Sequence, residues 1–110
     1  MKTSELSGAA LDWAVAKAGG TTHIELVWET VRGKWSPSTN WALGGAIIER
    51  EDISVSREFA SNRVEWAAWT PAPIRDDAEA FGYGESPLVA AMRCYVASKL
   101  GDEVQIPEGL

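Results

Sequence analysis

The sequence predicts a small α+β domain, a mostly antiparallel sheet covered by two helices, with long loops that contain tryptophan and glycine. Three observations predict it. A helix with clear start and stop signals lies near the C-terminal end, a second amphipathic stretch lies near the N-terminal end, and segments between them alternate with the period of a strand. Helices outside and strands inside the chain order suit helices gathered against one antiparallel sheet.

Taken in order, Lys2 to Leu6 reads as a short edge strand. Ser7 caps a helix from about Gly8 to Ala18. Leu11, Ala14, Val15 and Ala18 form its inner face, with Trp13 at the edge, and Gly19-Gly20 end it. Thr21 to Thr30 reads as a strand with Ile24, Leu26 and Trp28 inward and His23, Glu25 and Val27 outward. Arg32-Gly33-Lys34 is a turn. Trp35 to Gly45 reads as a loop, because Pro37 and the Ser/Thr/Asn cluster interrupt regular structure. Ala46 to Asp52 is too short to decide between helical turns and a strand.

Ile53 to Val55 reads as a short strand and Ser56 to Asn62 as a polar turn or loop. Val64 to Thr70 is a second strand, with Val64, Trp66 and Ala68 on one side, ended by Pro71 and Pro73. Ile74 to Phe81, with Asp76, Asp77 and Glu79, reads as an acidic solvated loop. The best-defined helix follows. Ser86 is its N-cap and Pro87 its first residue, where a missing N–H costs nothing. Leu88, Ala91, Met92, Tyr95, Val96 and Leu100 form the apolar stripe, and Lys99 and Gly101 are stop signals. Asp102 to Leu110 is a tail that Val104 and Ile106 pin to the body.

Composition bounds the function. Residues 1–110 suit one domain. The net charge is −6, and it is uneven: residues 1–50 carry five Lys/Arg against five Asp/Glu, residues 51–110 five against eleven. With no basic run to neutralise phosphates, nucleic-acid polymers are not expected as partners. The single cysteine, Cys94, allows no disulfide within the chain and suits a reducing compartment. No signal peptide and no run of about 18 apolar residues is present, so a cytoplasmic protein without a membrane span is expected. One histidine, no metal-ligand spacing and no nucleophile–base set predict no catalytic residue, no metal and no cofactor. A catalyst built on Asp12, Glu49 or Glu51 is the weaker alternative.

Six tryptophans, Trp13, Trp28, Trp35, Trp41, Trp66 and Trp69, are many for one small core, since each brings an N–H that needs a partner. Some are expected to line a groove or an interface. The candidate ligand-binding residues fall in two stretches. Trp35, Ser38, Thr39, Asn40, Trp41, Gly44 and Gly45 would form a stacking platform ringed by donors and acceptors. Tyr83, Gly84 and Ser86 stand before the well-capped helix, where flexible backbone and a partial positive charge suit an anion. Arg93 lies about 10 Å along the axis from Ser86 and supports the pocket. For the first stretch the plain alternative is a loop that folds onto the core, and for the second it is an ordinary turn before a helix.

Several segments resemble a known family: Thr3-Ser-Glu-Leu-Ser-Gly-Ala-Ala-Leu-Asp-Trp-Ala-Val-Ala16, Ser36-Pro-Ser-Thr-Asn-Trp41, Gly44-Gly45, Ile47-Ile-Glu-Arg-Glu51 and Ala90-Ala-Met-Arg-Cys-Tyr-Val-Ala-Ser-Lys-Leu-Gly101. In this order and near this spacing they resemble the NinX family of tailed-phage and prophage proteins. Asn40-Trp41 stands where the family commonly has Asp-Trp, and Gly45-Ala46 where it often has Gly-Pro. The first departure removes a negative charge from the candidate pocket. The resemblance implies an accessory protein acting in an infected or lysogenic bacterium, and no reaction.

Two functions remain open on these grounds. One is a non-catalytic binder or sequesterer of a small anionic, nucleotide-like ligand, such as a host immune signal, with both loops forming one pocket. The other is a protein-interaction module that inhibits a host protein through an acidic, tryptophan-rich surface. A homo-oligomer is expected with either.

Overall fold

A computed structural model describes residues 1–20, 30, 32–60, 63–70, 80–108 and 110. The expected strand at Thr21–Thr30 with His23, and the acidic loop with Asp76, Asp77 and Glu79, lie outside the described residues, apart from Thr30 and the loop's last residues. Three helices are described: α1 (Gly8–Ala18), α2 (Trp41–Arg50) and α3 (Pro87–Leu100). Three antiparallel strands form one sheet in the order β1-β2-β3: β1 (Ser54–Ala60), β2 (Arg63–Thr70) and β3 (Ala80–Gly84). The α+β class holds, with one helix more among the described residues than the sequence suggested.

α3 lies across β2 and β3 and also touches α1, α2 and β1, so it covers one face of the sheet. Its cap is the one expected: the Ser86 hydroxyl accepts from the Val89 amide at 3.1 Å, and Pro87 opens the first turn. Ser86→Ala should cost about 1 kcal/mol in urea unfolding, the usual worth of such a cap. No change in the unfolding midpoint would mean that Pro87 and the packing of Leu88 set this helix start without it. Leu6, Leu11, Val15, Ile47, Met92, Cys94 and Val96 meet in the core.

Several local expectations change. Thr3–Glu5 is a short 3-10 turn, not a strand, and a single bridge joins Lys2 to Glu103. The turn is held by the segment after α3: Thr3 donates from its amide to the Asp102 carbonyl (2.8 Å) and from its hydroxyl to the Gly101 carbonyl (2.7 Å). These bonds satisfy a buried threonine. Val104 is buried, as the pinned tail required. Ser7 sits at the N-cap of α1 but its side chain makes no capping bond. Ser54–Ala60 is one continuous strand where a polar loop was expected after Val55. Pairing with β2 explains this, because each polar residue of β1 takes a ladder position opposite one of β2, from Ser54↔Trp69 to Ala60↔Arg63.

Ala80–Gly84 is the largest correction. The sequence reads as the end of an acidic loop and a glycine-rich turn, yet it is the third strand, paired from Trp66↔Gly84 to Thr70↔Ala80. Its small residues Ala80, Gly82 and Gly84 are buried and alternate with exposed Phe81 and Tyr83. The small residues let α3 lie directly on the strand. A methyl carbon at Gly82 would stand 2.2 Å from the Ala90 carbonyl oxygen and 2.4 Å from the Cys94 amide nitrogen.

Candidate functional site

The polar run before α2 is organised by α1. Asp12 is buried, and its Oδ1 accepts from the Ser38 amide at 2.8 Å. The Trp35 indole donates to the Asp12 carbonyl at 2.7 Å. The Ser36 carbonyl accepts from the amides of Thr39 (3.1 Å) and Asn40 (2.8 Å), which closes the turn. Asn40 then caps α2 by accepting from the Ala42 amide at 2.9 Å. The serine, threonine and asparagine cluster is therefore a folded turn that ends in a helix cap.

Burial raises the Asp12 carboxyl above its ordinary value, and Ser38 opposes the rise. The amide is the contact that matters there, since the buried Ser38 hydroxyl has no hydrogen-bond partner.

Trp41, Gly44 and Gly45 belong to α2 rather than to a loop. Trp41 is 58% exposed. Gly44 is pressed against the Pro37 carbonyl and the Leu88 side chain, so it joins this segment to the start of α3. Thr39 and Asn40 are exposed, Ser38 is buried, and Trp35 is half-buried against the core.

The second candidate stretch has a different chemistry from the one its glycines suggested. Gly84 is a packing glycine of β3 beside Val89, and the Ser86 hydroxyl is taken by the cap. Arg93 spans two elements: its Nε donates to the Leu6 carbonyl at 2.8 Å and a terminal nitrogen to the Tyr83 carbonyl at 2.7 Å. Burial lowers its pKa from the ordinary arginine value, and Glu85 opposes this. A guanidinium tied to two carbonyls fixes β3 against the chain entering α1.

Two grooves take up four of these residues, Trp35, Tyr83, Gly84 and Arg93. The first, of about 800 Å³, includes Tyr83, Gly84 and Arg93 with Lys2, and also Glu65, Glu85, Asp102 and Glu103. The second, of about 520 Å³, lies where the C-terminal ends of the three helices converge and is lined by Trp35, Ile47, Arg50, Glu51, Tyr95 and Lys99. Trp35 and Arg93 thus line different grooves.

In the second groove Glu51 bridges two cations, with Arg50 Nε at 3.0 Å and Lys99 Nζ at 3.1 Å. Burial pushes the Glu51 carboxyl up, but Arg50 and Lys99 together hold it below its ordinary value. Arg50 also reaches the hydroxyl of the buried Tyr95 at 3.3 Å. Arg50, Tyr95 and Lys99 were not singled out from the sequence as site residues. Tyr95 and Lys99 are four apart on one helix and so share a face, a signal that was present but read only as core stripe and helix end.

Burial pushes the Cys94 thiol up to about 12, which keeps it protonated and a poor nucleophile. It donates to the Ala80 carbonyl at 3.4 Å. Among the described residues no three His, Cys, Asp or Glu side chains are grouped to hold a metal ion, and no helix is long and apolar enough to cross a membrane. No curated protein matches the chain. The family model of bacteriophage P22 NinX matches residues 2–99, and the chain belongs to that family.

Proposed function

We propose that this NinX-family chain is a non-catalytic phage accessory protein that holds a small anionic, nucleotide-like molecule, and that it does so inside the infected or lysogenic host. The observation that supports this reading is the charge of the second groove. Arg50 and Lys99 face a single carboxylate, Glu51, beside the half-buried Trp35 ring. A ring wall with a cationic excess suits a planar, negatively charged ligand. The first groove carries four carboxylates against two cations, so it does not favour an anion. On this reading the ligand meets Arg50 and Lys99 in the second groove rather than the capped start of α3.

The test is to purify the protein from bacteria with and without an active nucleotide-signalling defence, heat it, and analyse the released small molecules by mass spectrometry. A nucleotide released only from the defence-positive cells is the expected result. Lys99→Glu and Arg50→Glu should each weaken its binding at least about tenfold, since reversing a charge that meets the ligand makes attraction into repulsion. These exposed pairs contribute at most about 1 kcal/mol to folding, so the variants should melt close to the parent. An empty protein from both cultures, or unchanged binding by both variants, would overturn the reading. A homo-oligomer is part of the same proposal, and light scattering behind a sizing column decides it.

A further inference from the structure

A second surface lies on the other face of the sheet from α3. Phe81 and Tyr83 are each 50% exposed there. Their β2 partners Trp69 and Ala67 stand directly opposite and share that face. This aromatic patch runs into the first groove, which Phe81 and Tyr83 also line. Around the rings the groove presents Glu65, Glu85, Asp102 and Glu103, and none of these carboxylates is in an ion pair among the described residues. Of the two cations in the groove, Arg93 is occupied by the Leu6 and Tyr83 carbonyls.

We propose that this surface docks an arginine- or lysine-rich segment of a partner protein. Charge complementarity selects that occupant. A long cationic side chain lays its alkyl stem on exposed aromatic rings, its head is attracted to the ring face, and unpaired carboxylates complete the contact. An acidic or neutral segment would leave the groove's excess of carboxylates over cations unbalanced. The surface is separate from the cationic groove of Arg50 and Lys99, so this docking does not depend on the small-ligand reading.

The probe is a short fluorescein-labelled peptide of alternating arginine and alanine, titrated against the full chain by fluorescence anisotropy at physiological ionic strength. Saturable binding is expected. Tyr83→Ala, and separately the pair Glu65→Gln with Glu85→Gln, should each weaken it at least about tenfold. The pair Glu49→Gln with Asp52→Asn lies outside the groove and should change it by less than about twofold. Circular dichroism melts confirm that each variant is folded, and Phe81→Ala replaces Tyr83→Ala if the latter is not. Three results overturn the proposal: no binding by the parent, equal weakening by the distant pair, which would mean attraction to net charge alone, or displacement by spermidine at peptide-like concentrations, which would mean a site for any small polycation.

Discussion

Gly82→Ala should lower the unfolding free energy by on the order of 3 kcal/mol, a large part of what a domain of this size has to lose. The added carbon would stand 2.2 Å from the Ala90 carbonyl oxygen, 2.4 Å from the Cys94 amide nitrogen and 3.0 Å from the Cys94 Cα. All three are backbone atoms of a regular helix, so no side chain can rotate away. Either α3 lifts from β3 or the strand leaves its pairing with Ala68, and both expose the core around Met92 and Cys94. Gly45→Ala is the matched control. Its new carbon would meet only the Trp41 ring at 3.8 Å, an ordinary contact, and alanine is the better residue inside a helix. Gly45→Ala should therefore stabilise by about 0.5–1 kcal/mol. Urea unfolding of the two variants beside the parent checks both signs, and a Gly82→Ala protein as stable as the parent would refute this account of the strand.

That glycine also shows where the sequence was legible and where it was not. α3 could be read because its signals are local: a cap, a proline, a stripe and a terminal glycine lie within one stretch of chain. α1 could be read for the same reason, from its stripe and Gly19-Gly20. β3 could not, since Ala80-Phe-Gly-Tyr-Gly84 has the composition of a turn, and what makes it a strand is the helix that needs its small residues. The same holds for Gly44, which reads as a loop glycine yet is set by Pro37 and Leu88, the latter far along the chain. The candidate site divided in the same way. Trp35 and Arg93 were found by residue type, but their placement in different grooves depends on tertiary bonds to Asp12, Leu6 and Tyr83. Arg50 was missed, and Glu51 was named only as a weaker catalytic alternative, because the stretch from Ala46 to Asp52 was too short to assign. Its helix begins earlier, at Trp41, inside what looked like loop.

Asp12 gives a prediction in which two substitutions at one position act in opposite directions. Asp12→Ala removes the acceptor of the buried Ser38 amide and should cost about 2 kcal/mol, the usual penalty for stranding a buried donor. It also frees the turn that carries Trp35, so any ligand held in the second groove should be lost with it. Asp12→Asn keeps an oxygen for the amide and removes the charge. Burial raises the Asp12 pKa, so the folded chain holds this proton to higher pH than the unfolded chain does. The carboxyl's contribution is then most favourable below its ordinary value. It falls as pH rises through the window between the ordinary and the raised value, and is constant above it. Glu51, held low by Arg50 and Lys99, gives the opposite slope in acid, but it is present in both proteins and cancels on subtraction. The stability of Asp12→Asn minus that of the parent should therefore increase with pH across that window and then level off, with the asparagine protein the more stable at neutral pH. Thermal unfolding of the pair from acid to neutral pH measures this difference. A difference independent of pH would mean that Asp12 titrates as it does in the unfolded chain, and that the Ser38 amide fully offsets its burial.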